Sequence, residues 1–93
     1  MDKKTILVFG VGELQISIIR RAKLMGLFTV GIDPCEEAFA REECDAFEVV
    51  GGQDYEGTLS VARRYGVSAL YIARPQFLFV TYLIISRYTK IQT

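Results

Sequence analysis

The sequence predicts an α/β domain: a three-layer arrangement of a parallel sheet of four to five strands with flanking helices. Three observations carry that prediction. Short apolar runs alternate with helical patterns along most of the chain, and that alternation builds βαβ units with right-handed crossovers and a parallel sheet. The first apolar run ends in Gly10-Val11-Gly12, a turn suited to joining a buried strand to a helix start. Gly26 and Gly66 each follow a helical pattern at the place where helices commonly stop in a left-handed residue.

The elements follow in order. Thr5-Ile6-Leu7-Val8-Phe9 is a continuous apolar run, as expected of a strand buried on both faces. Beyond the turn, Leu14, Ile18, Ala22 and Met25 fall on one helical face, and Ser17, Arg20, Arg21 and Lys23 largely on the other. Leu27 to Ile32 reads as a second strand closed by Asp33-Pro34, and a short polar helix is expected from Glu36 to about Glu43. Ala46 to Val50 reads as the third strand, followed by the loop Gly51-Gly52-Gln53. Asp54 is placed to cap a helix from Tyr55 to Tyr65 that buries Leu59 and Ala62. Val67 to Ile72 is the fourth strand.

Pro75 breaks the pattern. Phe77 to Ile85 is apolar nearly all round and rich in β-branched and aromatic residues, so strand and helix are equally compatible with it. The organisation expected is one domain over residues 1–93, with 74–93 as an atypical apolar tail.

Composition narrows the function classes. A chain of 93 residues that is 51% hydrophobic is a single globular domain rather than a disordered segment. Zero formal net charge argues against a dedicated nucleic-acid binder. Every acidic residue lies between Asp2 and Glu56, and from Gly57 onward the only charges are basic. Solvated faces that differ in sign explain this, as does a face that docks onto an acidic partner. The two cysteines, Cys35 and Cys44, are too few for a disulfide scaffold, and without histidine they make no zinc site. Without histidine there is also no Ser/His/Asp triad and no activating base for Cys35. The run Phe77 to Ile85 is far shorter than the ~20 residues needed to cross a bilayer. No apolar leader precedes the first strand, so a cytoplasmic protein without a membrane partner is expected.

The glycine turn is the one corner with recognisable chemistry. A strand, a Gly-x-Gly turn and a helix start form a Rossmann-like anion corner, where glycines permit close approach and unpaired N–H groups face the ligand. Gly10 and Gly12 occupy the first two positions of the dinucleotide fingerprint, and Gln15 stands where the third glycine would be. Asp33 lies about 20 residues beyond the turn, at the end of the second strand, where an acid holds a ribose hydroxyl in NAD proteins. Gly10, Gly12 and Asp33 are therefore the candidate cofactor-binding residues. Each has a bland counterpart: the glycines serve close helix–strand packing, and Asp33 forms an Asx turn before Pro34. Glu13 repels a phosphate placed at the helix start and suits an amine or hydroxyl partner better; its bland counterpart is complementarity with the helix dipole.

At Gly10-Val11-Gly12-Glu13-Leu14-Gln15 the sequence resembles the N-terminal domain of ATP-grasp ligases. That family includes biotin carboxylase, carbamoyl-phosphate synthase large-chain relatives and formate-dependent phosphoribosylglycinamide formyltransferase. The helix to Gly26, the strand ending at Asp33-Pro34, the stretch Ala38 to Asp45, and the segments Asp54 to Tyr65 and Val67 to Ile72 are similar in order. The resemblance covers roughly residues 4–73 and ends near Ala73, where Arg74-Pro75-Gln76 and the apolar tail depart from the pattern. It implies a Rossmann-like domain preceding the catalytic ones, with Gly12, Glu13 and Leu14 bordering a small-molecule acceptor substrate. It implies no catalytic residue, metal or cofactor in this chain. ATP and magnesium would sit in further domains, in the same chain or another, which carry the activation of a carboxylate as an acyl phosphate. The chain alone is then not a complete enzyme, and it is expected to be truncated.

Two other functions compete. A nucleotide-sensing regulatory module, binding NAD or ATP, is motivated by Gly10, Gly12 and Asp33 and opposed by Glu13 and Gln15. A structural interaction domain is motivated by the tail, whose apolar run Phe77 to Ile85 suits a homo-oligomer contact.

Overall fold

The computed structural model describes residues 4–72. The expected fifth strand and the tail at 74–93 lie outside the described residues. Four strands form one sheet: β1 (Thr5–Phe9), β2 (Phe28–Asp33), β3 (Ala46–Val49) and β4 (Ala69–Ile72). Their order is β3-β2-β1-β4 and every pairing is parallel. This is an α/β, Rossmann-like fold.

The central place of β1 follows from its sequence. Leu7 and Val8 are wholly buried and Phe9 nearly so, because pleat alternation sends neighbours into different cores. Leu7 and Phe9 join Val30 and Ile32 of β2, with Leu59, Val61, Ala62 and Val67, on one face. Val8 joins Val11, Ile19 and Ala40 on the other. Each Leu, Ile, Val or Phe among them contributes about 1.5–3 kcal/mol when withdrawn from water. A Leu7→Ala change would open a cavity costing about 2–5 kcal/mol.

The helices are α1 (Ile16–Leu24) and α2 (Tyr55–Tyr65). Asp54 caps α2 as expected, its Oδ1 accepting the Gly57 N–H at 2.8 Å, and α2 buries Thr58, Leu59, Val61 and Ala62. Both helices stop on a left-handed glycine, Gly26 at φ 83° and Gly66 at φ 63°. In each case the next N–H reaches back to a helix carbonyl, Leu27 to Ala22 and Val67 to Ala62, both at 3.0 Å.

Several expected elements differ. Leu14 and Met25 do not belong to the buried face of α1; they are 87% and 70% exposed. Leu14 sits in a separate 3₁₀ turn, Glu13–Gln15, whose tighter winding puts it out of phase with the helix that follows. Met25 falls after the last helical residue, where the chain unwinds into Gly26. The buried stripe is Ile19 and Ala22, flanked by half-buried Ile16 and Ile18. No helix forms over Glu36–Glu43, which holds turns and the single 3₁₀ turn Arg41–Glu43. The Ala40 N–H is taken by the Val11 carbonyl at 3.0 Å, which pins the middle of the segment to the glycine turn. β2 is shifted by one residue, running Phe28–Asp33, while β3 ends at Val49 and β4 begins at Ala69, both shorter than expected.

Candidate functional site

The strand order places β1 between β2 on one side and β4 on the other, so the chain's winding direction reverses beside the carboxyl end of β1. Ligands of open α/β sheets bind at that position. The turn Gly10-Val11-Gly12 occupies it, and the connection leaving β4 lies outside the described residues.

Nearly every backbone group of the turn is engaged by the chain itself. Gly10, at φ 87°, donates its N–H to the Ile32 carbonyl at 2.9 Å. Val11 is wholly buried and donates its N–H to Asp33 Oδ2 at 2.9 Å. Gly12 donates its N–H to Gln15 Oε1 at 2.9 Å, and its carbonyl accepts the Gln15 N–H at 3.1 Å. The other Asp33 oxygen, Oδ1, accepts the Cys35 N–H at 2.9 Å, the Asx turn that a carboxylate before Pro34 favours. Asp33 therefore braces the turn against the β2 end.

The structure thus brings Gly10, Gly12 and Asp33 together, linked through the Val11 N–H. Glu13 and Leu14 stand at the rim, both exposed. They open onto a shallow trough of about 610 Å³ along the outer face of α1, lined also by Ser17, Arg20, Arg21 and Leu24. Beneath Gly10 and Asp33, a second cleft reaches between Ile32, Val50, Gly51 and Thr58, with a volume of about 20 Å³. That is room for a single water and far below a nucleotide.

One ion pair flanks the site. Arg20 meets Glu43 at 2.6 Å, and the hydrogen bond from Arg20 holds the Glu43 carboxyl below its usual range. Lys23 Nζ donates to the Glu43 carbonyl at 3.0 Å. Cys44 lies behind the turn, where burial first and the Asp45 charge second push its thiol up to about 11. Cys35 is exposed.

Two residues that organise the site were not among the candidate site residues read from the sequence. Gln15 closes Gly12, and the three-residue spacing from cap to glutamine is half of a capping-box pattern that could have marked it. Asp45 Oδ2 accepts from the Thr29 N–H at 2.8 Å and the Thr29 hydroxyl at 3.0 Å. It anchors the stretch before β3 to β2, and no local motif announces a pairing across that distance. Among the described residues, no group of three or more His, Cys, Asp or Glu could hold a metal ion. Among them too, no helix is long and apolar enough to cross a membrane.

Neither a protein-family model nor a curated protein sequence matches the chain. Solved structures do. N5-carboxyaminoimidazole synthetase from Staphylococcus aureus, complexed with ADP, matches with a TM-score of 0.67 and 22% identity, over 76% of this chain and 19% of that one. A second structure of the synthetase from the same organism gives 0.66 and 20%, over 77% and 21%. The chain spans about a fifth of the length of these synthetases. The likeness is to their fold: the described α/β unit is similar to a part of an enzyme several times longer.

Proposed function

We propose that this chain is the N-terminal, substrate-side domain of an ATP-dependent ligase of the ATP-grasp type, and that it is not catalytic alone. The observation that carries the reading is a coincidence of two things. The fold is similar to part of N5-carboxyaminoimidazole synthetase, and the β1–α1 turn carries Gly12-Glu13-Leu14-Gln15, the stretch that resembles ATP-grasp ligases. The match to about a fifth of the synthetase is consistent with its N-terminal domain.

In this reading Gly12, Glu13 and Leu14 border the acceptor substrate. The exposed Glu13 carboxylate offers an acceptor to an amine or hydroxyl on that substrate. In this reading ATP and its metal bind in other domains rather than at this turn. ATP-dependent activation of a carboxylate therefore belongs to domains beyond this one, in the same chain or a separate one. A carbamoyl-phosphate synthase relationship, rather than one to the synthetase, is a finer version of the same proposal.

The test has two parts. Translation of the coding DNA beyond the Thr93 codon in all three frames should reveal an ATP-grasp domain. The joined product should release ADP in a manner dependent on an amine substrate, while the 93-residue chain does not. Turnover of ATP by the 93-residue chain itself, with any acceptor, would defeat the proposal.

A further inference from the structure

We propose that Gln15 is a specificity-determining residue of the β1–α1 turn: its side-chain carbonyl fills the place a phosphate oxygen would take and so bars phosphate from the turn. A phosphate-binding turn of this kind presents bare backbone N–H groups, and its second glycine lets the backbone approach the pyrophosphate closely. Here the donors are spent. The Gly12 N–H is held by Gln15 Oε1 at 2.9 Å and the Val11 N–H by Asp33 Oδ2 at 2.9 Å.

The reason for the glycine is also different. Gly12 has φ −90° and ψ −177°, extended backbone that any residue adopts, so its conformation does not demand glycine. Space constrains it more: a Cβ at Gly12 would stand 3.0 Å from Gln15 Oε1, so the amide would have to give by a few tenths of an ångström. The missing side chain leaves the glutamine room to fold over the turn. Gln15 occupies the third fingerprint position, where a glycine would leave the Gly12 N–H open. An arriving phosphate would have to displace one amide and one carboxylate that are each already hydrogen-bonded, next to the exposed carboxylate of Glu13. Nothing in the turn compensates for that.

The inference goes beyond the ligase proposal and does not depend on it, because that proposal places the nucleotide outside this chain. The test is an amide NMR titration of the 93-residue chain with inorganic pyrophosphate, together with hydrogen exchange. In the wild type the Val11 and Gly12 resonances should stay unmoved. In Gln15→Gly, the Gly12 resonance should move saturably, and its amide should exchange about fivefold faster, as expected for loss of one hydrogen bond. Should that variant fail to fold, Gln15→Ala keeps a good helix former and is read the same way. A saturable shift of Gly12 in the wild type would overturn the proposal. So would a folded glycine or alanine variant that ignores pyrophosphate as the wild type does, since Gln15 would then not be what excludes it.

Discussion

Replacing Gly31 with alanine should destabilise the fold from its centre and loosen the glycine turn with it. Gly31 lies in the middle of β2, opposite Val8 of β1. A Cβ there would stand 2.6 Å from Cys44 Sγ and 2.8 Å from Val11 Cγ2, closer than real Cβ contacts come. Overpacking of this kind costs about 1–3 kcal/mol. Alanine in a strand interior regains about 0.5–1 kcal/mol over glycine, which leaves a net loss on the order of 1–2 kcal/mol. For a domain of this size the melting temperature should fall by roughly 5–15 °C. Thermal and urea unfolding followed by circular dichroism would read it. Cys44→Ala in the same background removes one of the two clashes and should return part of the loss, with a coupling above about 0.5 kcal/mol in the double-mutant cycle. Because the second clash is with Val11, the Val11 amide should also lose hydrogen-exchange protection as its bond to Asp33 weakens. A neutral or stabilising Gly31→Ala, or additive behaviour with Cys44→Ala, would refute the reasoning.

Three further outcomes are expected. Asp54→Ala removes the cap on Gly57 and should cost about 1 kcal/mol, seen as a lower urea midpoint with an unchanged slope. Gly66→Ala should cost a similar ~1 kcal/mol; no atom lies within 4 Å of the added Cβ, so the loss is purely that of holding alanine at φ 63°. Iodoacetamide at pH 8 should modify the exposed Cys35 first, because a thiol pushed up to about 11 carries a thiolate fraction on the order of 10² lower than an ordinary cysteine; fast modification of both would contradict the packing of Cys44. The same shift sets a pH dependence. The folded state holds the Cys44 proton more tightly than the unfolded chain, so this contribution is complete below the ordinary thiol range and is lost as pH rises towards 11. Cys44→Ser should flatten stability over that window.

What the sequence made legible was the part of the fold written in unbroken local patterns. The β1 run, the Asp54 cap and the stops at Gly26 and Gly66 each depend on a few neighbouring residues. The misjudged elements depend on a partner far along the chain or on an irregular turn. Glu36–Glu43 has helix-compatible residues, but one buried bond from Ala40 to Val11 ties its middle to another loop. Leu14 matches a helical face by counting at 3.6 residues per turn, and the chain there winds more tightly. Short segments give tertiary contacts and irregular turns an advantage that a periodicity count does not see.

The candidate site shows a sharper version of the same limit. Gly10, Gly12 and Asp33 are spaced as a dinucleotide site spaces them, and they do meet at the carboxyl end of β1. Spacing specifies a meeting place but not who uses the hydrogen bonds there. Asp33 spends one oxygen on Val11 and the other on Cys35, a role that is structural in kind and indistinguishable by position from holding a ribose hydroxyl. The discriminating residue is Gln15. A glycine in its place would leave the Gly12 N–H facing outward; the glutamine turns that donor inward. One side chain thus separates two chemistries that share a backbone, and the exposed Glu13 beside it adds a charge of the wrong sign for phosphate. The fold places the turn where ligands of such sheets bind, while its donors are already satisfied from within. Contacts to a ligand at this turn must therefore come chiefly from the exposed side chains at its rim.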